Sequence, residues 1–310
     1  MEARNRAYLY GLAAVLLWST AASAFKLALR YLEPLQLLLY SAVVSTAALG
    51  LMLVRRGQLV TVLASLPSQV RHSAALGFLN PFLYYAVLLQ AYDRLPAQVA
   101  QPLNYTWALA LALLSIPILK QRLLVTDLAA GAVCYSGVLV IATRGAPDAF
   151  ELSDPLGVGL ALGSTVVWAL YWLYNARDPL DPVARLFLNF LCSLPLALAA
   201  CLIFGGQSLK ALALPGLPGL LGAVYVGLFE MGLTFVLWLT ALRLADNASR
   251  VGNLIFLSPF VSLVLIHYLV GETIHLSTLA GLALIVAGLV VQRLGATRRR
   301  LSPRDVPRSP

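Results

Sequence analysis

The sequence predicts an all-α polytopic membrane protein, with ten transmembrane helices arranged as two inverted five-helix repeats. Three observations lead to this fold class. The 310 residues are 60% hydrophobic and only 11% charged, whereas a soluble domain carries about 25% charged residues. Ten apolar runs are long enough to cross a bilayer. The longest hydrophilic connection within the body of the chain falls between the fifth run and the sixth.

A helix that crosses a bilayer needs about 20 mostly apolar residues. Runs of this kind lie at Ala7–Leu29, Pro34–Val54, Ser73–Tyr92, Pro96–Leu119, Val125–Thr143, Pro155–Tyr174, Pro182–Phe204, Pro218–Leu242, Ala248–Val270 and Leu276–Leu294. Most connections between them are only a few residues long, so none can hold a soluble domain. We therefore expect the function to be carried by the helices.

The connection Arg144–Asp154 divides the chain into a first repeat, residues 1–146, and a second repeat, residues 147–294. Because each half holds an odd number of helices, the second half must enter the membrane in the opposite sense. Inverted repeats are typical of secondary transporters and place the binding site near the bilayer midplane. The alternative is a ten-helix bundle whose symmetry is accidental, since few positions in the two halves are identical.

Residues 295–310 are rich in Pro, Arg and Ser, and they are predicted to form a disordered cytoplasmic tail because they cannot bury enough apolar surface to fold. Basic residues in short loops set membrane orientation. With the N-terminus in the cytoplasm, 17 of the 22 Lys and Arg residues fall on the cytoplasmic side. The sequence therefore predicts a multi-pass protein of the bacterial inner membrane with both termini cytoplasmic, and we expect a monomer surrounded by lipid.

The sequence lacks the motifs that are typical of several functional classes. The net charge of +9 is spread over loops and the tail, without the basic stripe typical of nucleic-acid binding. The three cysteines lie inside apolar runs and show no metal-ligand spacing, so neither disulfides nor a metal site are expected. No hydrolase, metalloprotease or phosphate-binding motif occurs. We therefore expect no enzyme activity and no cofactor.

Four segments resemble the drug/metabolite transporter superfamily, EamA type. They are WSTAASAFK (Trp18–Lys26), VVWALYWLY (Val166–Tyr174), NLIFLSPFVSLVLIHYLVGETI (Asn253–Ile274) and LAGLALIVAGLVV (Leu279–Val291). The first half departs from the pattern, because TWA and KQR stand where the second half has SPF and GE. With its many aromatic residues, the chain looks most like the amino-acid exporters of that superfamily, including those that export aromatic amino acids.

Polar side chains at the middle of membrane spans are costly and indicate function by default. Glu230 lies near the middle of the eighth run, and Thr234 follows it on the same helical face. A carboxylate there could bind a substrate ammonium or carry a coupling proton. The alternative is a carboxyl group that is hydrogen-bonded between helices and protonated because it is desolvated.

Further candidates lie beside prolines that interrupt helices. Asn80 and Tyr84 flank Pro81 in the third run, Gln101 and Tyr105 flank Pro102 in the fourth, and Asn253 precedes Pro259 in the ninth. Broken helices expose carbonyls and dipole ends to substrate. The alternative for these side chains is interhelical hydrogen bonding, which contributes about 0.6–2 kcal/mol in membranes.

Trp18 and Trp168, 150 residues apart, occupy matching depths in the first helix of each half. They are expected on opposing walls of a cavity, where an aromatic face attracts an ammonium group; the alternatives are packing and the interfacial aromatic belt. Trp172 and Trp238, nearer helix ends, are assigned to that belt. Lys26 is expected at the outer rim, and Glu272 in a structural role.

The sequence thus predicts a secondary transporter that exports amino acids by alternating access, with a small molecule as its partner. The runner-up is a multidrug or other small-metabolite exporter that is proton-coupled through Glu230. A third hypothesis, from another class, is a membrane scaffold that transports nothing.

Overall fold

A computed structural model describes residues 2–119, 125–143, 154–175, 178–204, 214–245, 251 and 253–301. Within these ranges the chain forms ten helices, α1 to α10, and this confirms the predicted fold class. Their bounds are Glu2–Ala28 (α1), Pro34–Arg55 (α2), Leu59–Arg94 (α3), Ala97–Asn104 with Trp107–Leu119 (α4), Val125–Ala142 (α5), Pro155–Asn175 (α6), Pro182–Phe204 (α7), Leu217–Leu244 (α8), Asn253–Leu257 with Ser258–Leu265 and Ile266–Val270 (α9), and Leu276–Leu301 (α10).

Seven of these helices are long and apolar enough to cross a membrane, and the apolar stretches Ala129–Ile141, Leu254–Val270 and Leu276–Val291 belong to the other three. Large apolar side chains such as Leu9, Ile203 and Phe204 are exposed on the outside of the bundle. Lipid is the solvent that suits such a surface, because helices satisfy their own backbone hydrogen bonds in hydrocarbon. The chain is a multi-pass membrane protein.

Two predicted boundaries were wrong. Helix α3 begins at Leu59 rather than Ser73, so it includes the polar residues around Arg71. A helix of this length exceeds the hydrocarbon thickness, and its first turns need not be apolar because they extend beyond the bilayer core.

Helix α10 runs to Leu301, so residues 295–301 of the predicted disordered tail are helical. Ala and Arg are strong helix formers, and a helix that leaves the membrane can continue through them. Residues 302–310 lie outside the described ranges.

The two halves pack on each other in a pattern that repeats. Helix α1 lies against α8 and α9, and the equivalent helix of the second half, α6, lies against α3 and α4. Helix α2 packs on α8, and α7 packs on α3 in the same way. Two pairs of helices that are equivalent to each other by the repeat, α2 with α7 and α5 with α10, are also in contact. These relations are those of a pseudo-twofold axis between five-helix halves.

Helices α5 and α10 form the most extensive of these contacts, through small residues. A Cβ on Gly137 would meet the backbone carbonyl of Gly281, and a Cβ on Gly288 would meet the carbonyl of Ala130. Gly137 and Gly288 are themselves 151 residues apart, so the two close approaches are related by the same repeat. Small residues at such positions let membrane helices approach closely and gain van der Waals contact.

Four helices that flank the centre of the bundle are interrupted. Helix α3 leaves helical geometry at Asn80 (φ −145°, ψ 120°), and α8 widens into a π-helical turn over Val226–Leu233. The segments of α4 are separated by a turn at Tyr105 and Thr106, and α9 starts as a 3₁₀ helix over Asn253–Leu257. Interruptions at equivalent places in the two halves position unusual backbone and polar side chains at the centre of the protein.

Candidate functional site

The carboxylate of Glu230 lies inside the protein, on the widened turn of α8. Its Oε1 accepts a hydrogen bond from the hydroxyl of Tyr85 at 3.3 Å. Its Oε2 is buried and has no hydrogen-bond partner among the described residues. Gly227, one turn earlier, lies so close to the Ser41 carbonyl of α2 that a Cβ there would collide with it. Close packing of α2 and α8 therefore fixes Glu230, while one of its oxygens stays available.

Aromatic rings form a continuous wall beside this carboxylate. The ring centroids of Tyr84 and Trp168 are 4.5 Å apart, and Tyr84 lies 4.8 Å from Tyr85. Phe235 connects the two tryptophans of the repeat, at 5.7 Å from Trp168 and 5.5 Å from Trp18. These separations are those of favourable aromatic pairs. The structure thus brings Trp18, Trp168, Tyr84 and the neighbourhood of Glu230 into one cluster.

Two further tryptophans join the cluster. The ring of Trp172 lies 5.9 Å from Trp168, and the ring of Trp238 lies 5.5 Å from Trp18. Trp238 is buried, and the indole nitrogen of Trp172 is enclosed as well. The assignment of these residues to an interfacial belt was therefore wrong, because depth along a helix does not reveal which face points inward.

The interruption of α4 brings polar groups to the same region. Asn104 accepts a hydrogen bond from the Tyr84 hydroxyl (3.4 Å) and donates one to the hydroxyl of Ser164 (2.9 Å). Gln101 is buried, and its Oε1 lacks a partner within the described chain. The Tyr105 hydroxyl is within hydrogen-bonding reach of Ser258. Residues predicted on the two broken helices thus lie near the aromatic wall.

Two predicted site residues are placed differently or are not described. The hydroxyl of Thr234 is hydrogen-bonded to the carbonyl of Phe229 in its own helix, so the structure gives this side chain a local partner. The side chain of Asn253 lies outside the described part of the chain. Their proposed contact with substrate stays a prediction.

Asn80, predicted from the neighbouring Pro81, lies beside Tyr171 and beside Asn189, which was not predicted from the sequence. The hydroxyl of Tyr171 is adjacent to the side-chain amides of both Asn80 and Asn189. Both amides are fully buried, and neither makes a hydrogen bond of standard geometry within the described part of the chain. Asn189 is the only Asn in the apolar run Pro182–Phe204, and this polar residue among apolar ones was the available signal for it.

Two residues at one end of the bundle tie helix ends together. We name this end, which carries Lys26 and Glu272, the cap end. The ammonium of Lys26 donates to the carbonyls of Tyr92 (2.7 Å) and Leu95 (3.0 Å) where α3 ends. The carboxylate of Glu272 accepts from the backbone N–H groups of Ala97 (2.7 Å) and Gln98 (3.0 Å) where α4 begins. Both residues satisfy helix termini, so the predicted structural role of Glu272 is confirmed and Lys26 has one too.

The other end, which we name the basic end, carries a buried ion pair. Arg185 lies 2.7 Å from Asp178, and each side chain is only 4% exposed. Burial alone would raise the pKa of Asp178, but hydrogen bonds from the Leu180 N–H, Arg185 and His72 hold that pKa below its ordinary value. Arg185 also donates to Ser73 (2.8 Å), which joins α7 to α3. This end is therefore held by a buried ion pair, beside which Asp181 caps the start of α7 by accepting hydrogen bonds from the N–H groups of Val183 (3.0 Å) and Ala184 (3.3 Å).

Two family matches cover most of the chain. The EamA-like transporter family matches residues 5–143 and again residues 155–293, one copy for each half. The chain belongs to this family, and it is a secondary transporter rather than an enzyme. The repeat predicted from loop lengths coincides with the two matches.

Relatives and solved structures are consistent with this family. The Bacillus subtilis (strain 168) protein YvbV, named an uncharacterized transporter, is 26% identical over 215 residues, 68% of each chain. YdeK of the same organism, also named an uncharacterized transporter, is 31% identical over 181 residues, 56% of this chain and 55% of that one. A crystal structure that covers 95% of this chain and 99% of its own superposes with a TM-score of 0.64 at 24% identity, and it supports the fold.

Proposed function

We propose that this protein exports amino acids, aromatic or other neutral ones, across the bacterial inner membrane by alternating access. Both termini are assigned to the cytoplasm. The observation that carries the proposal is the free Oε2 of buried Glu230 beside the wall of Tyr84, Tyr85 and Trp168. A carboxylate and aromatic faces are the two groups that attract an ammonium in a desolvated site.

The aromatic wall supports substrates with an apolar or aromatic side chain. Trp168 is in contact with five other rings, including those of Tyr84 and Phe235. Ring stacking and edge contacts bind an aromatic or aliphatic group without requiring a charge on it. A zwitterionic amino acid would place its ammonium at Glu230 and its side chain along these rings.

The fold supplies the means of alternating access. Two pseudo-symmetric halves with interrupted helices at their interface can exchange which end of the bundle is open. The basic end carries Arg56, Arg185 and Arg243 near the ends of three helices. Because positive residues favour the cytoplasmic side, we assign that end to the cytoplasm and the cap end to the outside.

A proton-coupled exporter of cationic drugs or metabolites is the second candidate. The observation that favours it is the setting of Glu230, whose described hydrogen-bond partner is a tyrosine hydroxyl and not a cation. A carboxyl group of that kind can carry a proton in one state and bind a cation in another. The same residue thus serves both candidates, and experiments on coupling separate them.

Transport into proteoliposomes tests the proposal. Purified protein is reconstituted, loaded with unlabelled amino acids, and assayed for counterflow of labelled phenylalanine, leucine and other neutral amino acids, with and without a pH gradient. We expect saturable counterflow of at least one neutral amino acid. If no amino acid is transported under either condition, while a cationic drug moves in response to the pH gradient, the second candidate replaces the first.

Glu230→Gln separates the two candidates further. For facilitated amino-acid export we expect weaker substrate affinity with exchange retained, because the amide keeps a polar partner for the ammonium. For proton-coupled cation export we expect coupled transport to be abolished. Asp93→Asn, which neutralises an exposed carboxylate at the cap end, is the matched control and is expected to leave transport unchanged.

A further inference from the structure

Ser258 is the point at which three helices, α1, α4 and α9, come together. Its hydroxyl lies 3.1 Å from that of Ser19 on α1, and the hydroxyl of Tyr105 on α4 is within hydrogen-bonding reach of it. We name these three side chains the inner tier. Trp18, which precedes Ser19, belongs to the aromatic wall beside Glu230. The inner tier therefore lies at the edge of the candidate site.

A second set of polar side chains lies one helical turn closer to the cap end. It consists of Ser23, Ser262 and Gln101, and we name it the outer tier. Ser23 and Ser262 each follow a serine of the inner tier by four residues on α1 and α9. Gln101 precedes Tyr105 by four, and its carbonyl accepts a hydrogen bond from the Tyr105 N–H at 3.0 Å. Because residues four apart share a helix face, the outer tier faces the same junction of three helices.

The outer tier lies between the candidate site and the contacts at the cap end. Helices α1 and α9 run toward the cap end, and α4 runs away from it. Three residues beyond Ser23 on α1 is Lys26, which binds the carbonyls at the end of α3. Three residues before Gln101 on α4 is Gln98, which is bonded to the loop after α9. A path from the candidate site to the cap end along these helices therefore passes the outer tier.

The side-chain oxygens of the outer tier are buried without partners. Ser23, Ser262 and Gln101 are 1%, 0% and 4% exposed. Their Oγ, Oγ and Oε1 atoms have no hydrogen-bond partner among the described residues. A serine in a helix can bond to the carbonyl four residues earlier, as Ser19 does to Val15 at 2.7 Å. The two serines of the outer tier do not, so their hydroxyls require a partner from outside their own helices.

The other half of the repeat has no polar side chains at these positions. The equivalents of Ser23, Ser262 and Gln101, 150 or 151 residues away, are Leu173, Leu111 and Gly252. None of these side chains forms hydrogen bonds. Gly252 lies outside the described ranges and is compared by its identity alone. Because apolar residues serve at the equivalent junction, packing of the three helices does not explain the outer tier.

We propose that the outer tier lines the exit route from the candidate site to the cap end. The transported molecule then passes between α4 on one side and α1 and α9 on the other. The inference rests on the proposed function, because it uses the assignment of the cap end to the outside. When the cap contacts of Lys26 and Glu272 separate, the three oxygens meet water and the polar groups of the passing molecule. These are the partners that the outer tier lacks within the protein.

The chemistry of the outer tier suits passage rather than tight binding. Hydroxyl and amide groups both donate and accept hydrogen bonds, so they can contact the ammonium and the carboxylate of a zwitterion in turn. None of the three side chains carries a charge, so each contact is weaker than one with the Glu230 carboxylate. A transport route needs contacts that are favourable enough to enter and weak enough to leave.

Cysteine accessibility tests the route. The single-cysteine variants are Ser23→Cys, Ser262→Cys and Ala22→Cys, made after replacement of the native Cys134, Cys192 and Cys201 by alanine. Intact cells are treated with a membrane-impermeant methanethiosulfonate, and the unreacted fraction is measured by a mass-tag gel shift. Ala22 is the matched control, because it adjoins Ser23, is equally buried at 1% exposure and packs in the apolar core. Each purified variant is checked for monodispersity in detergent.

We expect labelling at Ser23 and Ser262 to be at least about tenfold faster than at Ala22, a difference of about 1.4 kcal/mol in the cost of exposure. Adding Glu272→Gln should accelerate labelling at the two serine positions and leave Ala22 unchanged. Equal rates at all three positions overturn the route, as does an absence of labelling at both serine positions with Glu272→Gln present.

The labelling needs no substrate, so its outcome is separate from that of the counterflow assay. Labelling as expected without counterflow of any amino acid keeps the exit route and overturns the amino-acid assignment. Counterflow of an amino acid without labelling at Ser23 and Ser262 overturns the exit route and keeps the proposed function.

Discussion

The cap end and the basic end of this bundle are joined by different chemistry, although the two halves are built on one repeat. At the cap end, Glu272 and Gln98 tie the start of α4 to the loop between α9 and α10, with Gln98 bonded to Thr273, His275 and Thr278. At the basic end, the ion pair of Arg185 and Asp178 ties α7 to α3. The two halves therefore share one backbone fold, but different interactions join the helices at the two ends.

The sequence prevents the cap from being repeated at the basic end. The positions equivalent to Lys26, Gln98 and Glu272 are Ala176, Ser249 and Gln121. Ala176 and Gln121 lack the charges of Lys26 and Glu272, so the repeat places no second carboxylate at the position equivalent to Glu272. These three residues lie outside the described ranges, and the comparison rests on their identities alone. The two ends therefore differ in sequence at these repeat-related positions.

Helix packing also differs between the cap end and the basic end. Near the cap end, α1 packs against the second part of α3 and the first part of α4. The equivalent contact at the basic end would bring α6 against the last part of α8, and no comparable packing is found there among the described residues. Within the described ranges, the packing of the first helix of each half therefore differs between the two ends.

Breaking the ion pair at the basic end is expected to have the largest effect. Asp178→Asn leaves Arg185 buried without its counter-ion, so we expect a loss of about 3–5 kcal/mol in stability, measured by thermal unfolding in detergent. Asp181→Asn is the control, because the pairs of Asp181 with Arg56 and Arg243 are partly exposed and are expected to contribute less than about 1 kcal/mol. Similar losses for both variants would contradict the comparison.

The pH dependence of stability follows from the lowered pKa of Asp178. A carboxylate whose folded pKa lies below its ordinary value stabilises the protein at pH above that ordinary value, and this contribution is lost as pH falls through the folded pKa. Wild-type unfolding temperature should therefore fall on acidification below about pH 4, and Asp178→Asn should flatten that part of the profile. An unchanged acid slope in the variant would assign the effect to another group.

Removing the cap at the opposite end should have an intermediate effect. Glu272→Gln weakens two hydrogen bonds to the first N–H groups of α4, and caps of this kind contribute about 0.5–2 kcal/mol. Because the cap joins the two halves, we also expect faster labelling of a cysteine placed at Ser23 by a membrane-impermeant reagent added from the cap end. Labelling that stays at the wild-type rate would show that this cap does not close the pathway.

Glu33 provides the matched control for that experiment. It caps α2 at the same end and is paired with Gln36 of its own helix, so it joins no helix of the other half. Glu33→Gln is expected to lower stability by a similar or smaller amount without changing cysteine labelling.

Much of the fold could be predicted because it depends on local composition. Ten apolar runs and short loops determined the helix count, and the hydrophilic connection after the fifth run located the repeat. Glu230 and Asn80 could be selected as single residues, since a polar side chain at the middle of an apolar run stands out in the sequence. The error at the start of α3 has a local cause too, because polar residues in its first turns hid a helix that continues beyond the bilayer.

The site itself could be predicted only in part. Trp18 and Trp168 were chosen from the repeat, but their connection through Phe235 depends on a residue that resembles any other apolar one. Asn189 was missed because its significance lies in what it faces on α3. The position of a residue in the sequence indicates its depth in the membrane. Which neighbours its side chain faces depends on how the helices pack.

By itself, the sequence determined that this chain is embedded in a bilayer, crosses it ten times and carries one acidic residue near the middle of a span. Each of these properties depends only on the composition of a local stretch of residues. Only the tertiary structure decided which oxygen of Glu230 stays free, which rings surround it, and that Glu272 caps a helix 174 and 175 residues away. Those facts depend on contacts between segments that are distant in the chain, and no local pattern encodes them.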